Sequence, residues 1–388
     1  MIKLIRITTI PGSLRGLLKD QLRYMSDFYE VIAVSGKGEA LDEVGQREKV
    51  RTHAIEMNRA ISPTKDIKSL YKLINFFKKE RPGIVHTHTP KAGFLGMMAA
   101  YITRVPVRMH TVAGMPLMEA TGNKKKVLLF VEKLTYACAT HVYPNSYGLE
   151  EYILKEKLTT PNKVKVIGKG SSNGIDLDFF DPDKTDINDY PQLQADLDKF
   201  AAPDKFNYIF VGRLVKDKGI NELISAFVKV HEKFPASNLI LIGDFERTLD
   251  PVSAETEELI NKHDSIYFIG YQKDIRPFLK VSQAMVFPSY REGLPNVPMQ
   301  AGAFNLPVIC TNIVGCTDII ENGVNGIMVE PKSSAELYDA MIEIQTNKTL
   351  YSKLQTNARE MIKARYARPY LFNEIRKEYE SALSQHSL

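Results

Sequence analysis

The chain has 388 residues, of which 44% are hydrophobic and 25% are charged, and its formal net charge is +5. That length exceeds what a single hydrophobic core supports, so it predicts two domains of ordinary size. No apolar stretch approaches the ~18 residues of a membrane-spanning helix. The three cysteines lack CxxC spacing, which argues against a disulfide framework and a zinc site and suits a reducing cytoplasm.

The first half alternates short β-branched runs with longer helical patterns, which is typical of a parallel α/β sheet. A helix is predicted over Ile67–Glu80, where apolar residues recur on one helical face. The predicted strands are Lys3–Ile10, Tyr29–Ser35, Ile84–His88, Arg108–Val112, His141–Pro144 and Lys163–Ile167.

Basic residues are concentrated in this half. Residues 51–150 contain 15 lysines and arginines against 6 aspartates and glutamates, a surplus of nine, so the rest of the chain sums to −4. Such a domain predicts an anionic partner. We expect no nucleic acid, because no recognition motif is present. The stretch Lys124–Lys133 joins a lysine cluster to an apolar helical run, which suits an anionic membrane surface; a buried helix with a solvated lysine end is an equal alternative.

The second half repeats the α/β pattern after residues 176–204, which are rich in Asp, Pro and Asn and predict a linker. A final helix is predicted from about Pro369 to Leu383, after a break near Arg365–Arg368. The predicted strands are Tyr208–Val211, Leu239–Ile242, Ile266–Ile269, Ala284–Phe287 and Val308–Cys310. The pattern therefore predicts an α/β fold with two doubly wound, Rossmann-like domains.

Two connections of the second half carry candidate functional residues. After the strand Ala284–Phe287 come Glu292 and Gly293, followed by prolines where a helix can begin. A glycine turn at a helix start can bind an anion, because the free N–H groups and the partial positive charge face the ligand. After Tyr208–Val211, the cations Arg213 and Lys218 bracket a tight turn and could neutralise a diphosphate leaving group. The alternative for both is an ordinary βα loop with solvated charges.

Five blocks, in this order along the chain, resemble the retaining, nucleotide-sugar-dependent glycosyltransferases of family 4, which have the GT-B fold. Gly315 and Asn325–Gly326 extend the resemblance beyond the fifth block. The blocks are Thr8–Ser13 (a loose match), His86–Gly93, Gly168–Asp176, Gly212–Gly219 and Glu292–Pro295.

The resemblance implies two Rossmann-like domains facing each other across a cleft. The acceptor domain would span residues 1–175 and the nucleotide-sugar domain residues 176–366, with a terminal helix in 367–388 crossing back to the first domain. The matching catalytic residues are Glu292, which contacts the transferred sugar, and Arg213 and Lys218, which bind the diphosphate. Further donor contacts are implied for Gly12, Tyr271, Gly293, Leu294 and Gln300, and acceptor-side contacts for Ser13, His88, Lys91 and His110. Neither a metal nor another cofactor is expected.

The sequence departs from the family pattern at two positions. Gln300 stands where a glutamate usually binds the ribose, and an amide oxygen accepts hydrogen bonds less strongly than a carboxylate. Ala113 occupies the position of a histidine near the sugar. His110, three residues earlier, either replaces that histidine or is a buried strand residue.

The resemblance predicts transfer of a hexose or N-acetylhexosamine from a UDP-sugar to a saccharide hydroxyl. The acceptor would be polyprenyl-diphosphate-linked, as in bacterial capsule and O-antigen synthesis, and the enzyme would be cytoplasmic and peripheral on the inner face of the cell membrane. The alternatives are a nucleotide-sugar epimerase or hydrolase on the GT-B scaffold, and an inactive sugar-nucleotide-binding partner subunit. The donor sugar, acceptor, linkage and oligomeric state do not follow from the sequence.

Overall fold

The computed structural model describes residues 1–58, 62–118, 120–248 and 250–386 of the chain. It contains two compact units, of which unit 1 comprises Met1–Gly174 together with Arg368–Leu388 and unit 2 comprises Ile175–Ala367. The sequence-based boundaries, 175/176 and 366/367, each lie one residue from these divisions.

In its described residues, unit 1 has one six-stranded parallel sheet with the strand order β3-β2-β1-β4-β5-β6. The strands are β1 Lys3–Ile7, β2 Glu30–Ser35, β3 Arg51–Ala54, β4 Ile84–His88, β5 Val107–Val112 and β6 His141–Pro144. The helices are α1 Pro11–Leu17, α2 Gln21–Ser26, α3 Glu39–Glu48, α4 Pro63–Glu80, α5 Pro90–Ile102, α6 Gly122–Cys138 and α7 Tyr147–Lys155.

Unit 2 has the same topology, because its sheet order β12-β11-β10-β7-β8-β9 is the same arrangement read from the other edge. The strands are β7 Phe206–Val211, β8 Ser237–Ile242, β9 Ile266–Gly270, β10 Ala284–Phe287, β11 Val308–Thr311 and β12 Gly326–Val329. The helices are α8 Gln194–Phe200, α9 Ile220–Lys233, α10 Ala254–Lys262, α11 Arg276–Lys280, α12 Asn296–Ala303, α13 Cys316–Ile319, α14 Ser334–Thr346 and α15 Lys348–Tyr366. Both units therefore have the doubly wound arrangement, and the predicted fold class is confirmed.

The last helix, α16 (Arg368–Ser384), packs on unit 1. Its buried residues Leu371, Ile375 and Tyr379 recur every four positions, so they form one face of the helix against the sheet core. The predicted helix Pro369–Leu383 is confirmed to within one residue at each end.

Three strand predictions need correction. The segment Lys163–Ile167 forms only an isolated bridge at Val164, because a 3₁₀ turn occupies Pro161–Lys163 directly before it. The first strand ends at Ile7 instead of Ile10, since Pro11 begins α1. The edge strands β3 and β12 have no counterpart in the sequence-based prediction; β3, with the sequence RTHA, is mostly exposed and lacks the apolar alternation that identifies a strand.

Candidate active site

In unit 2, the loops after β7 and β10 meet at the carboxyl edge of the sheet. The two strands are parallel neighbours, with Met285 paired to Ile209, so their carboxyl ends lie side by side. Strand β11 continues the sheet beyond β10. Ligand sites of doubly wound sheets lie at this edge, and five of the predicted donor-binding residues are in these loops: Arg213, Lys218, Glu292, Gly293 and Leu294.

Two glycines bring the backbones of these loops into direct contact. Gly219 has a φ of +71°, and a Cβ added there would lie 2.1 Å from the carbonyl oxygen of Pro288. Gly315 has a φ of +84°, and its added Cβ would lie 2.3 Å from the carbonyl oxygen of Gly293. Only glycine combines this conformation with such a close approach. The loops after β7, β10 and β11 therefore pack directly against one another as one cluster.

Lys218 and Glu292 form an ion pair within this cluster. The Lys218 Nζ lies 2.5 Å from Oε1 of Glu292, and the two side chains are only 18% and 15% exposed. The Nζ atom also lies 3.5 Å from the Ser289 hydroxyl, a marginal contact. The structure thus brings together two of the three predicted catalytic side chains, which come from different loops.

Arg213 is exposed on the same β7 connection, five positions before Lys218. Its guanidinium makes no hydrogen bond or ion pair with any residue that the structure describes. A planar cation with free donors at the carboxyl edge of a sheet is suited to bind a phosphate group. The roles predicted for Arg213, Lys218 and Glu292 stay predictions, but their placement is compatible with them.

The other predicted donor contacts of unit 2 lie before or after Glu292 in the sequence. Gly293 and Leu294 follow Glu292 directly and precede α12, which begins at Asn296 as the prolines indicate. Gln300 lies in the second turn of α12 and is half-buried. Tyr271 directly follows β9, its side chain is 71% exposed, and its backbone N–H donates to Oδ1 of Asp244 at 3.2 Å. An exposed ring at this edge is available to stack on a base.

In unit 1, Gly12, a predicted donor contact, and Ser13, a predicted acceptor-side contact, belong to a helix. They lie in the first turn of α1, where the Ser13 N–H donates to the Ile10 carbonyl at 3.1 Å. Pro11, whose fixed φ suits the first helical position, starts the helix a few residues after β1.

The three histidines at the ends of β4 and β5 are buried. His88 Nε2 lies 2.8 Å from Nη2 of Arg6, and because arginine can only donate, Nε2 is the acceptor and Nδ1 carries the proton. Burial, followed by the Arg6 charge, holds the pKa of His88 well below its usual range. His86 bonds to Tyr379 and Thr111 through its two ring nitrogens. His88 lines a cavity of about 10 Å³, the space of one water molecule.

His110 is a buried strand histidine, one of the two alternatives that the sequence left open. Its Nδ1 lies 2.8 Å from the Thr87 hydroxyl, and burial lowers its pKa to about 4. Lys91, also predicted on the acceptor side, is engaged in an ion pair with Asp66 at 2.6 Å and is largely buried. Among the described residues, no group of three metal-ligating side chains is present.

Several residues near the predicted sites carry no signal in the sequence. Thr9 and Thr89 join the ends of β1 and β4 through their hydroxyls, 2.7 Å apart, and Thr89 has a φ of +72°, which is strained for a β-branched residue. In unit 2, Asp217 pairs with Arg291 across the same two loops as Lys218 and Glu292. Each contact joins segments distant in sequence, so only the fold reveals it.

Comparison with known proteins identifies both halves of the chain. Residues 21–170 match the family model described as glycosyl transferase 4-like domain, and residues 194–361 match the one described as glycosyl transferases group 1. Over 385 residues the chain is 32% identical to the capsular polysaccharide biosynthesis glycosyltransferase CapM of Staphylococcus aureus. The aligned region covers 99% of this chain and 98% of that relative.

Two further proteins extend the comparison. The chain is 30% identical over 300 residues to the Escherichia coli UDP-Gal:alpha-D-GlcNAc-diphosphoundecaprenol alpha-1,3-galactosyltransferase, covering 75% of this chain and 74% of that enzyme. The crystal structure of HepE from Anabaena in complex with UDP superimposes with a TM-score of 0.81 at 20% identity, covering 98% of this chain and all of that one. At that identity the structural likeness supports the fold alone.

Proposed function

This chain belongs to the group 1 glycosyl transferases and is a glycosyltransferase, and we propose that it moves a sugar from a UDP-sugar to a hydroxyl of a saccharide acceptor with retention of anomeric configuration. The observation that carries this proposal is the charge arrangement at the carboxyl edge of the unit 2 sheet. There Arg213 is exposed and without a partner among the described residues, and Lys218 lies against Glu292.

In the proposed reaction each of these side chains has a distinct role. Arg213 and Lys218 bind the diphosphate and stabilise the negative charge that grows as the bond between the anomeric carbon and the phosphate oxygen breaks. Glu292 lies beside the sugar and stabilises its developing positive charge. The acceptor oxygen bonds to the anomeric carbon on the same face, and its proton passes to the departing phosphate. No metal ion is needed in this scheme, because two fixed cations serve the leaving group.

The choice of donor and acceptor draws on the relatives. The E. coli enzyme is named for a UDP-galactose donor and a diphosphoundecaprenol-linked acceptor, and the S. aureus relative is named for capsular polysaccharide biosynthesis. We extend this chemistry to the present chain as a UDP-hexose or UDP-N-acetylhexosamine donor and a polyprenyl-diphosphate-linked saccharide acceptor. Exposed Tyr271 would stack on the uracil, and Gln300 would accept from a ribose hydroxyl.

A lipid-linked acceptor fits a surface of unit 1 formed by the first half of α6. Lys124, Lys125 and Lys126 are exposed there, and Val127 and Phe130 remain 46% and 64% exposed. Apolar side chains beside a lysine cluster suit the headgroup region of an anionic leaflet. We therefore propose peripheral attachment to the cytoplasmic face of the membrane. No helix in the described part of the chain has the length and apolar character to cross a bilayer.

The proposal is tested by incubating the purified protein with UDP-sugars, with and without a polyprenyl-diphosphate-linked saccharide. The expected result is UDP release that depends on the acceptor. NMR of the product should show that the transferred sugar has the same anomeric configuration as in the donor. UDP release that is independent of acceptor would instead identify a hydrolase, and isomerised donor an epimerase. Tight UDP binding without any reaction would favour an inactive partner subunit.

A further inference from the structure

Two ion pairs run side by side between the loops that follow β7 and β10. Asp217 accepts from Arg291 through its Oδ2, which lies 3.0 Å from Nε and 2.6 Å from Nη2. The next residue on each loop forms the second pair, Lys218 with Glu292. The polarity alternates, because the β7 loop supplies the acid of the first pair and the base of the second.

This alternation permits a single alignment of the two loops. Sliding one loop by one residue in one direction would oppose Asp217 to Glu292, and in the other direction Lys218 to Arg291. Either shift replaces attraction by repulsion between like charges at short range. The charge pattern therefore selects the alignment in which Lys218 faces Glu292.

The Asp217 backbone is fixed as well. Its N–H donates to Oδ2 of Asp250 at 2.7 Å, and its carbonyl accepts from the Tyr290 N–H at 2.8 Å. The Tyr290 hydroxyl in turn donates to Oε2 of Glu222, on α9, at 2.7 Å. Asp217 thus connects the two loops through both its main chain and its side chain.

The two ion pairs differ in what a donor does to them. In the proposed function, the diphosphate draws Lys218 away and the sugar engages Glu292, so that pair must loosen when the donor binds. The Asp217–Arg291 pair has no such competitor in the proposed scheme. Its side chains are 18% and 48% exposed, and ion pairs this close to solvent contribute little to folding stability. Its contribution is therefore to position the loops.

We propose that Asp217 and Arg291 are positioning residues that keep the diphosphate-binding Lys218 aligned with the sugar-binding Glu292 while the donor is bound. This inference rests on the proposed function of the same site. Neither residue touches the reacting atoms; both act through the residue that follows them in the chain.

The test is a double-mutant cycle with Asp217→Asn, Arg291→Gln and their combination. We measure turnover, KM for the UDP-sugar, UDP affinity by calorimetry and the melting temperature. Arg247→Gln is the matched control, because Arg247 Nη2 also lies 2.6 Å from a carboxylate, that of Glu257, in the same unit but outside these loops. Arg291→Lys retains the positive charge but lacks the two-donor guanidinium group, so it should keep more activity than Arg291→Gln.

Each single variant should lower turnover about tenfold and weaken UDP binding, because a few tenths of an ångström of misplacement suffice for such a loss. The combination should be no worse than either single change, since both break the same contact. Melting temperatures should stay near that of the wild type, and the control should keep wild-type turnover and UDP affinity.

The inference is overturned if the single variants keep wild-type turnover and UDP affinity, if their losses multiply in the combination, or if activity falls only in step with the melting temperature. A wild-type protein that binds UDP without transferring sugar would refute the proposed transfer alone. The UDP affinities of the single and double variants would then still decide whether the Asp217–Arg291 pair positions the loops. A wild-type protein that does not bind UDP would refute both.

Discussion

Replacing Gly315 by alanine tests whether backbone contact between the loops sets the geometry of the site. An alanine Cβ at position 315 would lie 2.3 Å from the carbonyl oxygen of Gly293, whereas Cβ atoms essentially never approach closer than 3.0 Å. The loop must therefore yield by roughly 0.7 Å, directly beside Glu292. If a 1 Å displacement of reacting groups costs about 100-fold in rate, this shift costs about 25-fold.

Gly323→Ala supplies the matched control. Gly323 also lies in unit 2 with a φ of +71°, close to the +84° of Gly315, but an added Cβ there would contact nothing within 4 Å. Both variants place an alanine at a positive φ, which costs about 1 kcal/mol for a left-handed alanine after the gain from a stiffer unfolded chain. Gly315, with a ψ of −40°, lies outside the left-handed helical region, so its backbone penalty is at least as large. Only Gly315→Ala adds the collision.

The assay compares acceptor-dependent UDP release and urea unfolding of both variants with the wild type. Gly323→Ala should lose about 1 kcal/mol of unfolding free energy and keep wild-type turnover. Gly315→Ala should lose more stability and about 25-fold in turnover. Equal turnover of the two variants would refute the argument, because the collision would then have no effect on the site.

Four further predictions follow from the same geometry. Arg213→Ala and Lys218→Ala should each reduce turnover about 30- to 1000-fold, since each loses a charged contact to the leaving diphosphate worth about 2–4 kcal/mol; near-normal rates would remove that role. Glu292→Gln should nearly abolish transfer, while Gln300→Glu should be tolerated and tighten UDP binding by calorimetry; weaker binding would mean that Gln300 does not face the ribose. Changing Lys124, Lys125 and Lys126 together to Gln should release the protein from anionic vesicles at low salt without altering transfer to a soluble acceptor, because each lysine contributes about 1 kcal/mol of attraction to the surface. Unchanged sedimentation with the vesicles would show that this cluster does not bind the membrane. Acidification should destabilise unit 1, because burial lowers the pKa of His110 from its usual 6.5 to about 4. The contribution of neutral His110 to the free energy of unfolding is fully present above pH ~6.5 and is reduced by about 2 kcal/mol at pH 5. In urea titrations, His110→Gln should reduce that loss.

The sequence predicted the parts of the fold whose hydrophobic pattern is strong. The buried strand Ala284–Phe287 is a continuous apolar run, and Ile84–His88 is apolar or β-branched at three of its five positions, as expected for parallel strands covered on both faces. The edge strand Arg51–Ala54 lacks this pattern, because much of its surface faces solvent. At Lys163–Ile167 the apolar alternation suits burial against neighbouring segments equally well, and only the bridge at Val164 forms.

The candidate site could be predicted only as far as it is local in sequence. Arg213 and Lys218 lie in one loop, and Glu292 precedes a glycine and a helix start, so short patterns mark them as candidates. The Asp217–Arg291 pair joins residues 74 positions apart, and it exists because β7 and β10 are neighbours in the sheet. The buried state of His88 likewise depends on Arg6 from another strand, a contact that no local pattern indicates.

The ion pair between Lys218 and Glu292 holds its charges in a form that favours the transition state of the proposed reaction. In that proposed reaction, Glu292 would begin paired with Lys218. Donor binding would then draw the lysine to the diphosphate and leave the carboxylate without its cation. That loss weakens ground-state binding. It is recovered as the anomeric carbon acquires positive charge beside Glu292, because the carboxylate then has a cationic partner again. An interaction that is stronger in the transition state than in the bound ground state raises the turnover number. In the proposed reaction the two partners of this pair thus separate, and they supply one charge for the leaving group and one for the sugar.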